Sequence, residues 1–237
     1  MENPNKTPNY LNFIVVIFAL IILLISLLAI FGHSSKQLSS PTSITPNPVK
    51  IEPGVVSTIQ EQTLYAPKVD IDSPVLGDPK APISIFEYSS FSCPNSRAIQ
   101  PTIQSILKLY PGKVKLIWKD MPLTSEYPKA LIAHIGARCA QKQNKFWDYE
   151  NLLWQNQNNF STSTIINLAQ KLKLDIDIFN ACLINPEMQA TIINDEKEAD
   201  ALAIPGTPHF YINKQEISGV GSVDDFKRLI EAELNRK

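Results

Sequence analysis

Hydrophobic and polar residues are distributed along the chain in three regimes, and each predicts a different kind of segment. From Phe13 to Phe31 no residue is charged and only Ser26 is polar. Those 19 residues, at the rise of an α-helix, span about the 30 Å of a bilayer core. The stretch predicts a transmembrane signal anchor over 13–31, behind a short tail of residues 1–12. A cleaved signal peptide is the alternative, with Ala29-Ile30-Phe31-Gly32 as its exit, but its apolar core is ordinarily shorter. Lys6 on one side and Lys36 on the other leave the positive-inside rule little to separate. Eight prolines between Pro41 and Pro82, mixed with Ser, Thr, Asn and Lys, then predict an extended stalk over residues 32–66.

Residues 67–237 carry the periodic patterns of one well-buried domain. Ile83 to Tyr88 is short, β-branched and aromatic, and Val114, Leu116 and Trp118 alternate with Lys115, Ile117 and Lys119, so each predicts a strand. Between them Ile99, Ile103, Ile106, Leu107 and Tyr110 recur at helical spacing until Pro111-Gly112. Gly136 and Pro186 bracket 49 residues free of both Gly and Pro, which calls for several successive helices. These are expected near 129–141, 146–154, 163–172, 177–183 and 186–203, with Thr162 or Ser163 capping the third. Phe210-Tyr211-Ile212 and Gln215 to Val220 predict a hairpin around Asn213-Lys214, and Phe226, Leu229, Ile230 and Leu234 a closing helix. The order βαβ, helices, ββα is that of an α/β domain with a helical insertion at about 124–203.

Charge changes the picture by exclusion. Twenty-two basic against 23 acidic side chains give a net charge of -1, without the basic excess that displaces counterions from nucleic acid. No nucleic-acid partner is expected. The three histidines, His33, His134 and His209, show no ligand spacing with the cysteines, so no metal or other cofactor is expected either. His134 reads as an ordinary helix residue and His209 as a strand residue pointing away from the chemistry.

The chemistry concentrates at the end of the first strand, in Phe91-Ser92-Cys93-Pro94-Asn95-Ser96-Arg97. A cysteine directly before a proline suited to the first helical turn sits where unsatisfied N–H groups and the helix dipole favour a thiolate. Taken alone, these residues fit a buried structural cysteine at a strand–helix junction somewhat better.

Val75-Leu76-Gly77-Asp78-Pro79-Lys80-Ala81-Pro82, Phe86-Glu87-Tyr88-Ser89 and Phe91-Ser92-Cys93-Pro94 together resemble the opening of DsbA-like thiol-disulfide oxidoreductases of the thioredoxin superfamily. Lys119 to Leu123, Cys139-Ala140 with Lys145-Phe146-Trp147, and Gly206-Thr207-Pro208 before a strand are similar in order, across nearly all of 67–237. The resemblance implies a thioredoxin fold with a helical insertion, Cys93 as nucleophile, and a cis Thr207-Pro208 bond beside it. Pro208 would shape the groove for a client chain, and Thr207 would offer it backbone hydrogen bonds. Pro101 would bend the active-site helix without ending it.

One position departs from the family. Its motif is Cys-x-x-Cys, and this chain has Ser96 where the resolving cysteine belongs. A hydroxyl cannot form a disulfide, so Cys93 holds no oxidising equivalent with Ser96. Two classes of function remain. In the first, Cys93 is a monothiol enzyme site that forms mixed disulfides, with isomerase- or reductase-like outcome. In the second, the domain is a non-catalytic peptide-binding or chaperone-like module; retention of Cys93 and Gly206-Thr207-Pro208 favours the first. The resemblance implies secreted or envelope client proteins with thiols or disulfides as partners, with a small thiol or a membrane redox protein as candidates to resolve them. It also implies an extracytoplasmic domain on a single pass through the cytoplasmic membrane, facing a space where disulfides persist.

Cys139 and Cys182 both fall in the insertion. They are either a structural disulfide, which would leave Cys93 as the free thiol, or two buried reduced thiols. Because residues 32–66 have little capacity to pack, limited proteolysis of the membrane-bound protein is expected to cut there and release the domain; protection of that stretch would show that it docks on the domain.

Overall fold

A computed structural model describes residues 66–157 and 159–236. The expected tail and span at 1–31 and the stalk, except Ala66, lie outside the described residues. Among the described residues no helix is long and apolar enough to cross a membrane.

The sheet is built from β1 (Val75–Gly77), β2 (Ile83–Ser89), β3 (Val114–Asp120), β4 (His209–Ile212) and β5 (Gln215–Ser218), in the spatial order β1-β3-β2-β4-β5. Only β2 and β3 run parallel, joined by α1 (Pro94–Leu109); the other three pairings are antiparallel. A parallel pair needs such a crossover, whereas β4 and β5 close through a two-residue turn in which Asn213 adopts φ 53°. β1 was not anticipated. It is three residues long inside the proline-rich stretch, and its pairing with β3 makes it a strand.

Strand alternation sends two apolar sets to opposite faces. Ile83, Ile85, Val114, Leu116, Phe210 and Ile212 pack on Ile99, Ile103 and Ile106 of α1 and on Phe226, Leu229 and Ile230 of α7 (Val223–Leu234). Phe86, Tyr88, Ile117 and Tyr211 face the other way, against Ala199 and Ile204. Ala199 belongs to α6 (Pro186–Ala201). Lys119 breaks the expected alternation, since it is fully buried on this second face and paired with carboxylates.

The insertion comprises α2 (Ala130–Gln141), α3 (Phe146–Gln155), α4 (Thr162–Lys171), α5 (Ile176–Leu183) and α6. It buries its own cluster, including Ala133, Ala137, Phe146, Tyr149, Leu153, Ile165 and Phe179, continuous with Trp118 of β3 and with Phe91 in the turn after β2. Gly136 permits the close approach of α3 and α4, because a Cβ there would lie 2.7 Å from Ile165 Cγ2 and 2.9 Å from Tyr149 Oη. The cap of α4 is Ser161 rather than Thr162 or Ser163: its hydroxyl accepts from the Thr164 N–H at 3.1 Å.

Cys139 and Cys182 are joined in a disulfide that ties α2 to α5, 43 residues apart in sequence. Closing a loop of that length restricts the unfolded chain by about 4 kcal/mol in the chain-entropy account. The Cys139→Ala/Cys182→Ala protein is therefore expected to lose up to that much stability in urea unfolding; an unchanged midpoint would remove the bridge from the fold's energetics.

Candidate active site at the first turn of α1

β2 ends at Ser89 and a tight turn, in which the Cys93 N–H donates to the Ser90 carbonyl at 3.0 Å, brings the chain to the start of α1. Cys93 is the N-cap residue, with extended φ -81° and ψ 122°, and its carbonyl accepts from the Arg97 N–H at 3.2 Å. Pro94 follows at the first helical position, where a missing N–H costs nothing and a fixed φ suits the helix. The thiol therefore projects where the helix has unpaired donors. Its Sγ donates to the Thr207 carbonyl at 3.3 Å, and the Thr207–Pro208 bond is cis. Cys93 is 6% exposed and is the one free cysteine among the described residues.

Gln157 fixes the other side of the turn, donating from Nε2 to the carbonyls of Phe91 at 3.0 Å and Cys93 at 2.7 Å. Beside it lies an open depression of about 310 Å³ lined by Ser92, Tyr127, Pro128, Lys129, Gln157 and Phe160. It begins one residue from the thiol and is mostly apolar in its lining, the character of a surface that receives part of a polypeptide.

Ser96 lies one helical turn after Cys93 and is fully buried. Its hydroxyl oxygen faces the Ser90 N–H at 3.5 Å, and its carbonyl accepts from Gln100 Nε2 at 3.0 Å. Gln100 also donates to Glu87 Oε1 at 2.9 Å, as does the Ser89 hydroxyl at 2.9 Å. Glu87 is fully buried, and its Oε2 has no hydrogen-bond partner among the described residues. Burial pushes its carboxyl up to about 7, against the pull of the Ser89 and Gln100 hydrogen bonds. Glu150 of α3 is pushed well above the usual range by burial and by the neighbouring Glu87 charge.

A second buried network stands behind Phe91. The Phe91 N–H donates to His134 Nε2 at 3.2 Å, and His134 Nδ1 lies 2.6 Å from Asp120 Oδ1. Asp120 also accepts from Trp118 Nε1 at 2.7 Å and from Arg138 Nε. Burial alone would raise the Asp120 carboxyl, but the Arg138 charge and the His134 hydrogen bond outweigh it and hold it below the usual carboxylate range. His134 is thus no ordinary helix residue. Asp70, Asp195 and Glu198 bring carboxylate oxygens within 4.8 Å of one another, as a cation site would. The Lys119 ammonium already sits there, 2.8 Å from Glu198 and 3.2 Å from Asp195.

The structure assembles Cys93, Pro94, Thr207 and Pro208 at one point and sets Ser96 behind them, while Cys139 and Cys182 are bonded to each other within the insertion. His209 is buried on β4 against the Tyr211 ring, with Nε2 3.6 Å from Glu216 Oε2; burial lowers its pKa despite that carboxylate. It belongs to the sheet face opposite α1. Glu87, Gln100 and Gln157 were given no role from the sequence, and His134 was read as an ordinary helix residue. His134 and Arg138 carried a usable signal, an i, i+4 pair on one face of a helix. Gln157 carried none, because it reaches Cys93 across 64 residues.

A family model described as thioredoxin matches residues 70–232. The chain belongs to that family, and its fold carries the inserted helices α2 to α6. Among similar proteins is Na(+)/H(+) antiporter NhaA 3 of Salinispora tropica, 30% identical over 150 residues that make up 63% of this chain and 23% of the antiporter. The chain thus spans about a quarter of the length of that relative. "Probable disulfide bond formation protein D" of Bacillus anthracis is 26% identical over 171 residues, covering 68% of this chain and 78% of that protein. Among solved structures, a thioredoxin-like oxidoreductase from Silicibacter pomeroyi superimposes with a TM-score of 0.65 at 21% identity, over 71% of this chain and 95% of the other. BdbD from Bacillus subtilis gives 0.62 at 22% identity, over 69% and 93%. These two likenesses establish the fold.

The buried Glu87 has a consequence for stability. Its folded carboxyl is raised from 4.5 to about 7, so the folded state keeps its proton while the unfolded state loses one. Stability from this group is complete below the unfolded value and falls as pH rises toward the folded value, then levels. Relative to wild type, Glu87→Gln is expected to gain up to about 3 kcal/mol in denaturant unfolding between those two pH values. A difference independent of pH would show that Glu87 is ionised in the folded protein.

Proposed function

We propose that this protein is a membrane-anchored, extracytoplasmic thiol-disulfide exchange enzyme that works with a single active-site cysteine. The observation that carries this reading is Cys93 at the first turn of α1 with its sulfur against the Thr207 carbonyl, while Ser96 lies buried where a resolving thiol would stand. Family membership and the similarity to a relative named for disulfide bond formation support it. The hydrophobic run at 13–31 supports the anchor.

The chemistry proceeds by exchange. The Cys93 thiolate attacks one sulfur of a client disulfide; a Cys93–client S–S bond forms, the client S–S bond breaks, and the departing sulfur leaves with the electron pair and takes a proton from water. Helix N–H groups stabilise the thiolate whenever Cys93 is released. With Ser96 unable to attack, the mixed disulfide waits for a second thiolate. If that thiolate is the client's own, the bond is relocated with no net oxidation. If two equivalents of a small thiol act in turn, the client disulfide is reduced and the small thiol is oxidised to its disulfide. The depression beside Gln157 would hold the client segment flanking its cysteine.

Ser96→Cys tests the reading. The introduced sulfur, one helical turn from Cys93, is expected to bond to it and convert the protein into an oxidant of reduced peptides. The wild type should form no more than one mixed disulfide per molecule and turn over only with added thiol. A Ser96→Cys protein that forms the internal disulfide yet passes it to no peptide would leave a non-catalytic peptide-binding module as the better account.

A further inference from the structure

The turn that carries Cys93 is held from behind by a histidine that exchange chemistry itself does not require. The Phe91 N–H donates to His134 Nε2 at 3.2 Å, so the lone pair is on that nitrogen and the ring proton on Nδ1. Nδ1 then donates to Asp120 Oδ1 at 2.6 Å. Asp120 is an ionised acceptor, since Trp118 Nε1 and Arg138 Nε also donate to it. The tautomer is therefore fixed from the far side: Asp120 can only accept, and Nε2 is left as the acceptor that Phe91 needs. His134 is fully buried, so water cannot replace it.

Phe91 has no freedom to drift around this contact. Its ring stacks on Trp118 with centroids 4.7 Å apart and lies 4.6 Å from the His134 ring. Its carbonyl accepts from Gln157, which also holds the Cys93 carbonyl. Gln157 and His134 thus grip the Phe91 residue at its carbonyl and at its amide, two residues ahead of the thiol.

We infer that His134 is a positioning residue for Cys93: its Nε2 lone pair fixes the Phe91 N–H and so sets the turn that aims the thiol at the amino end of α1 and the Thr207 carbonyl. This rests on Cys93 being the reacting thiol. The Phe91 N–H, if released, would be a buried donor without a partner, and the turn would rotate to find one, taking Sγ off the helix terminus.

Two near-isosteric substitutions separate positioning from packing. In His134→Asn the amide nitrogen replaces Nδ1 and keeps the Asp120 bond, but nothing reaches Phe91. In His134→Gln the side-chain oxygen takes the place of Nε2. The readout is the rate of Cys93 alkylation by iodoacetamide from acid to alkaline pH, with near-ultraviolet circular dichroism on each folded variant. The Asn variant is expected to react about tenfold more slowly than wild type, the equivalent of one lost buried hydrogen bond. The Gln variant should return to within about threefold of wild type. Equal behaviour of the two, whether both fast or both slow, overturns the inference. Should the Asn variant fail to fold, the decision passes to the ¹⁵N-labelled wild type, where a scalar coupling between the Phe91 amide nitrogen and His134 Nε2 is expected; its absence overturns the inference equally. If wild-type Cys93 reacts no faster than an ordinary thiol, the functional reading fails instead, and the coupling still reports on the Phe91 contact.

Discussion

Asp120 keeps a negative charge where no water reaches it, and the donors that make this tolerable come from separate parts of the chain. Trp118 lies on the same strand, while His134 and Arg138 come from α2. An isolated buried carboxylate would cost several kcal/mol, so the fold cannot place Asp120 at the end of β3 without also docking the insertion there. Arg138 continues outward to Asp195 of α6 at 2.6 Å and to the Asp72 carbonyl at 2.6 Å. The segment leading into the domain is thereby bound to the same centre, with Lys119 adding contacts to Asp70, Asp195 and Glu198. In this way one buried charge sets where β3, α2, α6 and the entering chain meet.

The two buried acidic sites are handled by opposite means. Around Asp120 the Arg138 guanidinium is at hand and keeps the carboxyl ionised, while burial and the Asp120 charge raise the adjoining Asp195 to about 6 in spite of Arg138 and Lys119. At Glu87 and Glu150 the described residues supply only neutral donors, and burial raises both carboxyls. Protonation is then the cheaper solution. The difference matters for the site, because Glu87 is joined to Ser96 through Gln100 and lies under the first turns of α1. In its protonated form Glu87 adds no negative charge beneath that helix terminus.

The geometry also limits what replaces the resolving thiol. Ser96 is enclosed, so no client or small molecule reaches that position directly. On the proposed monothiol reading, a second thiolate would approach the mixed disulfide from the open side, past Ser92 and Gln157 and opposite Thr207. On that reading selectivity would reside in the shape of the approach, to which the helical insertion contributes Gln157.

Local rules were enough for much of this molecule. Period-two and helical spacing located β2, β3, α1, the insertion helices and α7, because each buries a continuous face whose period follows from backbone geometry. The resemblance to the family pointed to Cys93, Pro94, Ser96, Thr207 and Pro208 as the candidate site, and the fold brings Cys93 against Thr207 as that order implies. β1 escaped notice because three residues have too little pattern, and their strand character comes from β3. Lys119, His134 and Glu87 were misread or passed over for a common reason. Polar residues in a periodic segment read as solvent-facing, and whether one is buried depends on partners supplied by distant segments. The sequence by itself determined the kinds of segment and the candidate reacting residue. Tertiary structure alone decided which charges are buried together, which tautomer His134 holds and what grips the turn at Phe91, because hydrogen bonds among buried groups are satisfied by proximity in space and leave no period in the chain.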